Sequence, residues 1–355
     1  MPPDIIQSAL RQQGVWCADF GSPFTAALCN AMADDYAQGG IVADILAGWS
    51  TNPLKDALAL RLTGTLHYIA LSEPDGALAA VWPHEDRVWS FDAAWASALV
   101  HLRERSQWVR AFIKSPPQTN EVRRSVALFP GLCVAAADFD GPVDVLELGA
   151  SAGLNLSLDQ FTYQAGAWSC GDAIKDNVMI DTDWSGRAPD VSKSLSIRHR
   201  AACDQNPLNA ANPDDARLLT AYVWPDQPAR LARLKSAIAL AVANKIVPDK
   251  ADAADWLVDK LATRAKDAQT IVYHSVFLIY PDNATRAKID ATMEAAGNLA
   301  TPQAPLAWLR FEAPHVLGLT SNDAFNVLEL IQWPGGKRTV LAEVDPHGRT
   351  VDWLV

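Results

Sequence analysis

Up to about residue 138 the apolar positions recur every three or four residues, interrupted by proline and glycine, as in helices that each bury one face. The pattern predicts helices over Ile5–Gln13, Phe24–Gln38, Leu54–Leu71, Asp92–Ile113 and Asn120–Ala137. In the third, Leu54, Leu58, Leu62, Leu66 and Ile69 line one side. The break at Ser115-Pro116-Pro117 closes the fourth helix, and Thr119 or Asn120 can cap the fifth. From residue 142 the pattern becomes an alternation. Val143–Leu148 is a short apolar strand, and Leu195–Cys203, Lys245–Val247, Thr270–Ile279 and Ala304–Phe311 are further strand candidates. Helical patterns at Asp214–Val223, Ala229–Ala243, Ala254–Lys266 and Thr285–Ala296 separate them. Such alternation predicts an α/β fold with a doubly wound, mostly parallel sheet. Val327–Gln332, a Pro-Gly-Gly turn and Arg338–Glu343 read as a C-terminal antiparallel hairpin. Residues 161–194, rich in Gly, Asp, Trp and Ser, fit neither pattern and read as an insertion. The expected organisation is an all-helical region over 1–138 and a sheet domain over 139–355.

Composition narrows the function classes. With 49% apolar and 20% charged residues over 355 positions, the chain has the makings of a large core. Its net charge of −11 argues against a nucleic-acid binder, which needs clustered Lys and Arg to neutralise phosphates; a small-molecule substrate or a basic partner fits better. The first residues lack the basic start and apolar stretch of a secretory signal, and no apolar run reaches the ~18 residues of a membrane span. The five cysteines (Cys17, Cys29, Cys133, Cys170 and Cys203) are scattered and never spaced CxxC, so free thiols in the cytoplasm are expected and no metal site is. Trp82, Trp89, Trp95 and Trp108 fall in the helical region, available to line an apolar pocket.

The chemistry concentrates after the first strand. There the chain reads Glu147-Leu148-Gly149-Ala150-Ser151-Ala152-Gly153-Leu154-Asn155. Two glycines let backbone approach a ligand closely, a helix starting at Gly153 would offer unpaired N–H groups, and Glu147 stands at the strand's carboxyl end, where open α/β sheets bind ligands. The arrangement resembles the first motif of class I methyltransferases, with Ser151 in place of the middle glycine. That resemblance implies a Rossmann-like domain in which this loop holds S-adenosylmethionine. The dinucleotide fingerprint and the phosphate-binding loop both lack required residues here. A second reading remains open: Gly149-Ala150-Ser151-Ala152-Gly153 also satisfies the nucleophile elbow of serine hydrolases, with Asp282 and His315 or His347 following in order. A third is a binding module that kept an adenosyl-ligand fold without the reaction.

Later strand ends supply further candidates. Asp204, followed by Asn206-Pro207, is suited to accept both hydroxyls of a ribose. Asp252 and Ala253 follow a short strand, and the methyltransferase resemblance implies such an acid–alanine pair beside the adenine. His274 and Glu312 end the next two strands and are the candidate bases, although a histidine inside an apolar strand is commonly a core residue. Asn120, Glu121 and Arg124 either start a helix or close the ligand crevice from the helical side.

The strings QTNEVRRS at 118–125, LELGASAGLNLSLDQFTY at 146–163, RAACDQNPLN at 200–209, VWPDQPARLARLKSAI at 223–238 and VYHSVFLIY at 272–280 resemble, in order, a widespread bacterial family of unknown function with a methyltransferase-like core. The resemblance spans nearly the whole chain. It implies that Glu147, Gly149, Ser151 and Gly153 form the ligand loop and that Asn120, Glu121, Arg124, Asp204, Asn206 and His274 are signature positions. The helical region is expected to cap the strand ends. The expected activity is methyl transfer from S-adenosylmethionine to a small molecule.

Overall fold

The computed structural model describes residues 4–84, 88–166, 168–172, 177–193, 195–320 and 325–355. In chain order it begins with helices α1 (Ile5–Asp19), α2 (Pro23–Ala37), α3 (Ile41–Leu46), α4 (Leu58–Ser72), α5 (Ala77–Val81), α6 (Phe91–Glu104), α7 (Ser106–Phe112) and α8 (Ser125–Ala135). Strands β1 (Val143–Leu148), β2 (Thr162–Ala165), β3 (Trp168–Cys170), β4 (Met179–Asp181), β5 (Asp183–Gly186) and β6 (Ile197–Asp204) follow. Next come α9 (Pro213–Ala221), α10 (Pro228–Ala243), β7 (Asp249–Lys250), α11 (Ala253–Ala262), β8 (Gln269–Ser275), α12 (Asn283–Asn298) and β9 (Leu306–Glu312). The chain closes with β10 (Asn326–Trp333), β11 (Lys337–Val344) and β12 (Thr350–Trp353). It divides into two compact units, one comprising Met1–Thr119 with Pro213–Lys235, the other Asn120–Asn212 with Ser236–Val355. The boundary therefore falls near 119 rather than 138, and a later segment belongs with the helices.

In the helical unit, Asp4 caps α1 by accepting from Ile6 N–H, and Ser22 caps α2, whose first residue is Pro23. The third helix starts later than its leucines suggest. Ala57 adopts φ +52, which leaves Leu54 on an exposed turn, while Leu58, Leu62, Leu66 and Ile69 are buried. The fourth breaks at Arg105 into α6 and α7. Leu10, Phe24, Leu28, Met32, Leu62, Leu66, Trp82 and Trp224 meet in one core, whereas Trp108 is partly exposed. Two contacts tie residues 213–235 to α4. His67 Nδ1 lies 3.2 Å from Ala221 O and 3.0 Å from Val223 O, both acceptors, so that nitrogen carries the proton. Gly64 has no room for a Cβ because the Tyr222 ring would be 2.6 Å away. Burial pulls His67 down to about 4, so the ring is neutral at ordinary pH.

The other unit is built on a nine-stranded sheet, among the described residues, in the order β5-β12-β11-β10-β9-β8-β1-β6-β7. β7, β6, β1, β8 and β9 run parallel, and β10 and β11 form the antiparallel hairpin anticipated from the sequence. It is an α/β fold with a large, mostly parallel sheet. β1 is buried along its whole length on both faces, as its continuous apolar run requires of a central parallel strand. On one face, Leu146, Leu148, Val272, Trp308 and Trp333 pack against Trp256 and Leu257 of α11 and Ile289 and Met293 of α12. On the other lies α8, where a Cβ on Gly131 would come 2.9 Å from Leu309. Residues 161–194 contain a small sheet ordered β3-β2-β4, and β5, which pairs in parallel with β12 at the edge of the main sheet. Two expectations are corrected. Lys245–Val247 is not a strand, because Lys245 takes φ +55; the pairing falls on Asp249–Lys250 instead. The segment Asn120–Ala137 is not one helix but a 3-10 turn, Val122–Arg124, followed by α8. The five cysteines are free thiols, and no helix among the described residues is long and apolar enough to cross a membrane.

Candidate functional site at the strand ends

From β1 the chain moves outward to β6 and then β7, and crosses back to β8 and β9 on the other side of β1. The strand order therefore reverses between β1 and β8, and the crevice at the carboxyl ends of such a pair is where open α/β sheets bind ligands. Glu147 and Tyr273 are register partners across this point. Glu147 is 2% exposed and burial pushes it up to about 8; the Tyr273 hydroxyl works in the opposite direction, and Asp204 adds to the rise. The Tyr273 hydroxyl is the polar neighbour of Glu147, but neither it nor Glu147 Oε2 makes a well-aligned hydrogen bond among the described residues. A buried carboxyl with an orphaned oxygen, and with no cation paired to it among the described residues, is an expensive arrangement.

The loop that follows is a tight turn rather than the start of an α-helix. A helix does start at Gly153, which is the N-cap of Leu154–Gln160, but that helix is 3-10 rather than α and kinks at Ser157. Gly149 and Gly153 take φ +67 and +68, which glycine adopts readily, and Ser151 takes φ +54, which it does not. Ala150 is fully buried. The surroundings hold the turn shut. A Cβ on Gly149 would lie 2.2 Å from Phe277 Cδ2, and one on Gly153 would lie 2.8 Å from Ile246 Cγ2. Asp204 divides its carboxylate between Ser151 N–H and Asn206 N–H, each at 2.9 Å. Asn120 does not cap a helix; its Oδ1 accepts from Leu154 N–H at 2.9 Å. Asn155 Nδ2 reaches Glu121 O at 3.4 Å and leaves its buried Oδ1 without a partner among the described residues. Glu121 accepts from Arg123 N–H, and Arg124 donates to Pro346 O at 2.9 Å and Ser275 O at 3.3 Å. The signature residues 120–124 thus fasten the loop after β1 and the end of β8.

His274 and Glu312 are brought together, both 0% exposed, with Nδ1 2.6 Å from Oε1. The same Oε1 accepts from Phe277 N–H at 2.8 Å and Leu278 N–H at 3.1 Å, which makes it the acceptor and His274 Nδ1 the donor. His274 Nε2 and Glu312 Oε2 have no partner among the described residues. Between them Val276 takes φ +53, a strained conformation for a β-branched residue, of the kind that collects at ligand sites. The dyad clasps the turn carrying Phe277, the ring that packs on Gly149. On the same face Arg310 is paired with Glu329, both buried.

Three sequence candidates do other work. Asp252 caps α11 by accepting from Ala254 N–H and Asp255 N–H, and Ala253 belongs to the core beneath. Asp282 caps α12. Sequence reasoning missed Tyr273 and Phe277. Tyr273 alternates with His274 along an apolar strand, a signal available in hindsight, but the approach of Phe277 to Gly149 is a tertiary contact with none.

Fold and loop together define an α/β protein whose strand order reverses between β1 and β8. The chain belongs to the bacterial family described as uncharacterized protein conserved in bacteria (DUF2332), whose model matches residues 7–353. No curated protein and no solved structure matches it.

Proposed function

We propose that the chain binds an S-adenosylmethionine-type ligand at the carboxyl ends of β1 and β8 and transfers its methyl group to a small molecule. The observation that carries this reading is Glu147, buried at the reversal with an orphaned oxygen and, among the described residues, no cation paired with it. A ligand bearing ammonium and sulfonium charges would supply the missing counter-charge and return the carboxyl to its ionised form. The orphaned Asn155 Oδ1 and the turn at Asp204–Asn206 also fit such a ligand. The Phe277 ring against Gly149 is the obstacle, and its displacement is part of the proposal. When bound, the cofactor would supply an electrophilic methyl group. The chain's own contribution would be to orient it through Glu147, to exclude water with the 276–280 turn, and to hold that turn through His274 and Glu312.

Calorimetric titration with S-adenosylmethionine at pH 7 and pH 9 tests the reading. Binding that strengthens at the higher pH and is weakened by Glu147→Gln supports it. Absence of heat at millimolar ligand, in the wild type and in Phe277→Ala alike, overturns it. Binding without labelled product from a cell extract would leave the adenosyl site standing and remove the transferase. Ester hydrolysis abolished by Ser151→Ala would replace it with the hydrolase reading.

A further inference from the structure

At the opposite, amino-terminal edge of the parallel strands there is a groove of about 520 Å³, a size suited to a small organic molecule. Its floor is Asp144 and Leu146 of β1, His199 of β6 and Thr270 of β8, and its wall is the last turn of α11 with Arg264 and Ala265 beyond it. The charges in it are unequally satisfied. Arg198 is held by Asp144 at 2.6 Å and Asp267 at 3.2 Å, and Lys260 by Asp249 at 3.3 Å. Arg264 is different. Its Nη1 donates to Ala304 O at 2.9 Å, and among the described residues no carboxylate pairs with it. It is half-buried, and burial pulls its guanidinium below the ordinary value. Thr270 is 1% exposed, and its hydroxyl has no partner among the described residues.

We infer that this groove binds a small monoanionic amphiphile, a carboxylate on a short apolar body, with Arg264 and the Thr270 hydroxyl holding the carboxylate and Leu146 and Ala265 covering the chain. One unpaired cation calls for one negative charge, which a carboxylate carries and a phosphate at neutral pH exceeds. The flat guanidinium fork and a hydroxyl give donors for both oxygens. Lys260 and Arg264 also lie near the negative end of α11, which accounts for cations there but not for a buried, unpartnered threonine hydroxyl. The carboxylate is held by Thr270 at the start of β8 and Arg264 beyond α11, and Leu146 and Glu147 point to opposite faces of β1, so the failure of this site and the failure of the methyl-transfer reading are separate results.

The test is titration of the full chain with sodium hexanoate, hexanamide and inorganic phosphate, followed by heteronuclear NMR. Saturable shifts with hexanoate at residues around Thr270 and Arg264, and none with hexanamide, are expected. Arg264→Gln should weaken hexanoate at least about tenfold, the loss of one charge-assisted pair. If that variant fails to fold, Ala265→Phe, which fills the groove and keeps the cation, should abolish the shifts. Hexanoate binding that survives either variant, unsaturable shifts, or phosphate binding in place of hexanoate overturns the inference.

Discussion

The ring of Phe277 lies so close to Gly149 that a Cβ there would approach Phe277 Cδ2 to 2.2 Å. Two residues from different strand ends thus define one closed contact at the centre of the candidate site. Gly149→Ala should destabilise the chain by about 2–4 kcal/mol, from overpacking and from a positive φ that alanine resists. Adding Phe277→Leu should restore the packing share but not the backbone share. Urea unfolding of the single and double variants separates the two.

Glu147 sets a pH dependence of opposite sign to the usual carboxylate. In the unfolded chain it titrates near 4.5, and in the folded chain at about 8. The folded state therefore holds the proton more tightly. The stability this contributes is complete below pH 4.5, declines as pH rises, and is gone once pH passes 8. Glu147→Gln should match the wild type near pH 4.5 and exceed it by about 2–4 kcal/mol at pH 8.5. Denaturation at the two pH values, wild type against variant, reads this directly.

Much of this arrangement is legible in the sequence. The apolar run bounds β1, the Pro-Gly-Gly turn marks the hairpin, and the place of Glu147 before a glycine-rich turn puts it at a strand end. What escapes is what depends on distant partners. Asp204 could be marked as a strand-end carboxylate, but not that both its oxygens would be taken by backbone N–H groups. Residues 213–235 carry an ordinary helical pattern, and nothing local tells that His67 and Gly64 recruit them to the first unit. Lys245–Val247 has the apolar, branched character of a strand, yet a left-handed residue at 245 ends the preceding helix and delays the strand by a few positions.

The histidine at position 67 gives the helical unit a separate acid response. It titrates near 6.5 when unfolded and at about 4 when folded, because burial disfavours the charged ring. Its contribution to stability is present above pH 6.5 and is lost as pH falls towards 4. His67→Asn, which keeps a donor for Ala221 O and Val223 O, should show a flatter profile across that interval. The slope of unfolding free energy between pH 7 and pH 4.5 measures the difference.

Arg310 and Glu329 are paired beneath α12, both buried. Arg310→Met leaves a buried carboxylate without its cation and should cost about 3–5 kcal/mol. The double variant Arg310→Met with Glu329→Leu should recover most of that loss. A double-mutant cycle by chemical denaturation gives the coupling.

The helical unit is discontinuous along the chain, and this imposes an order on its birth. A ribosome releases α1 through α7 first, then residues 120–212, and only afterwards the segment 213–235 that supplies the acceptors for His67 and the ring against Gly64. Until then α4 presents an unfinished apolar seam, so the nascent chain passes through an interval in which its earliest helices are made but not yet sealed.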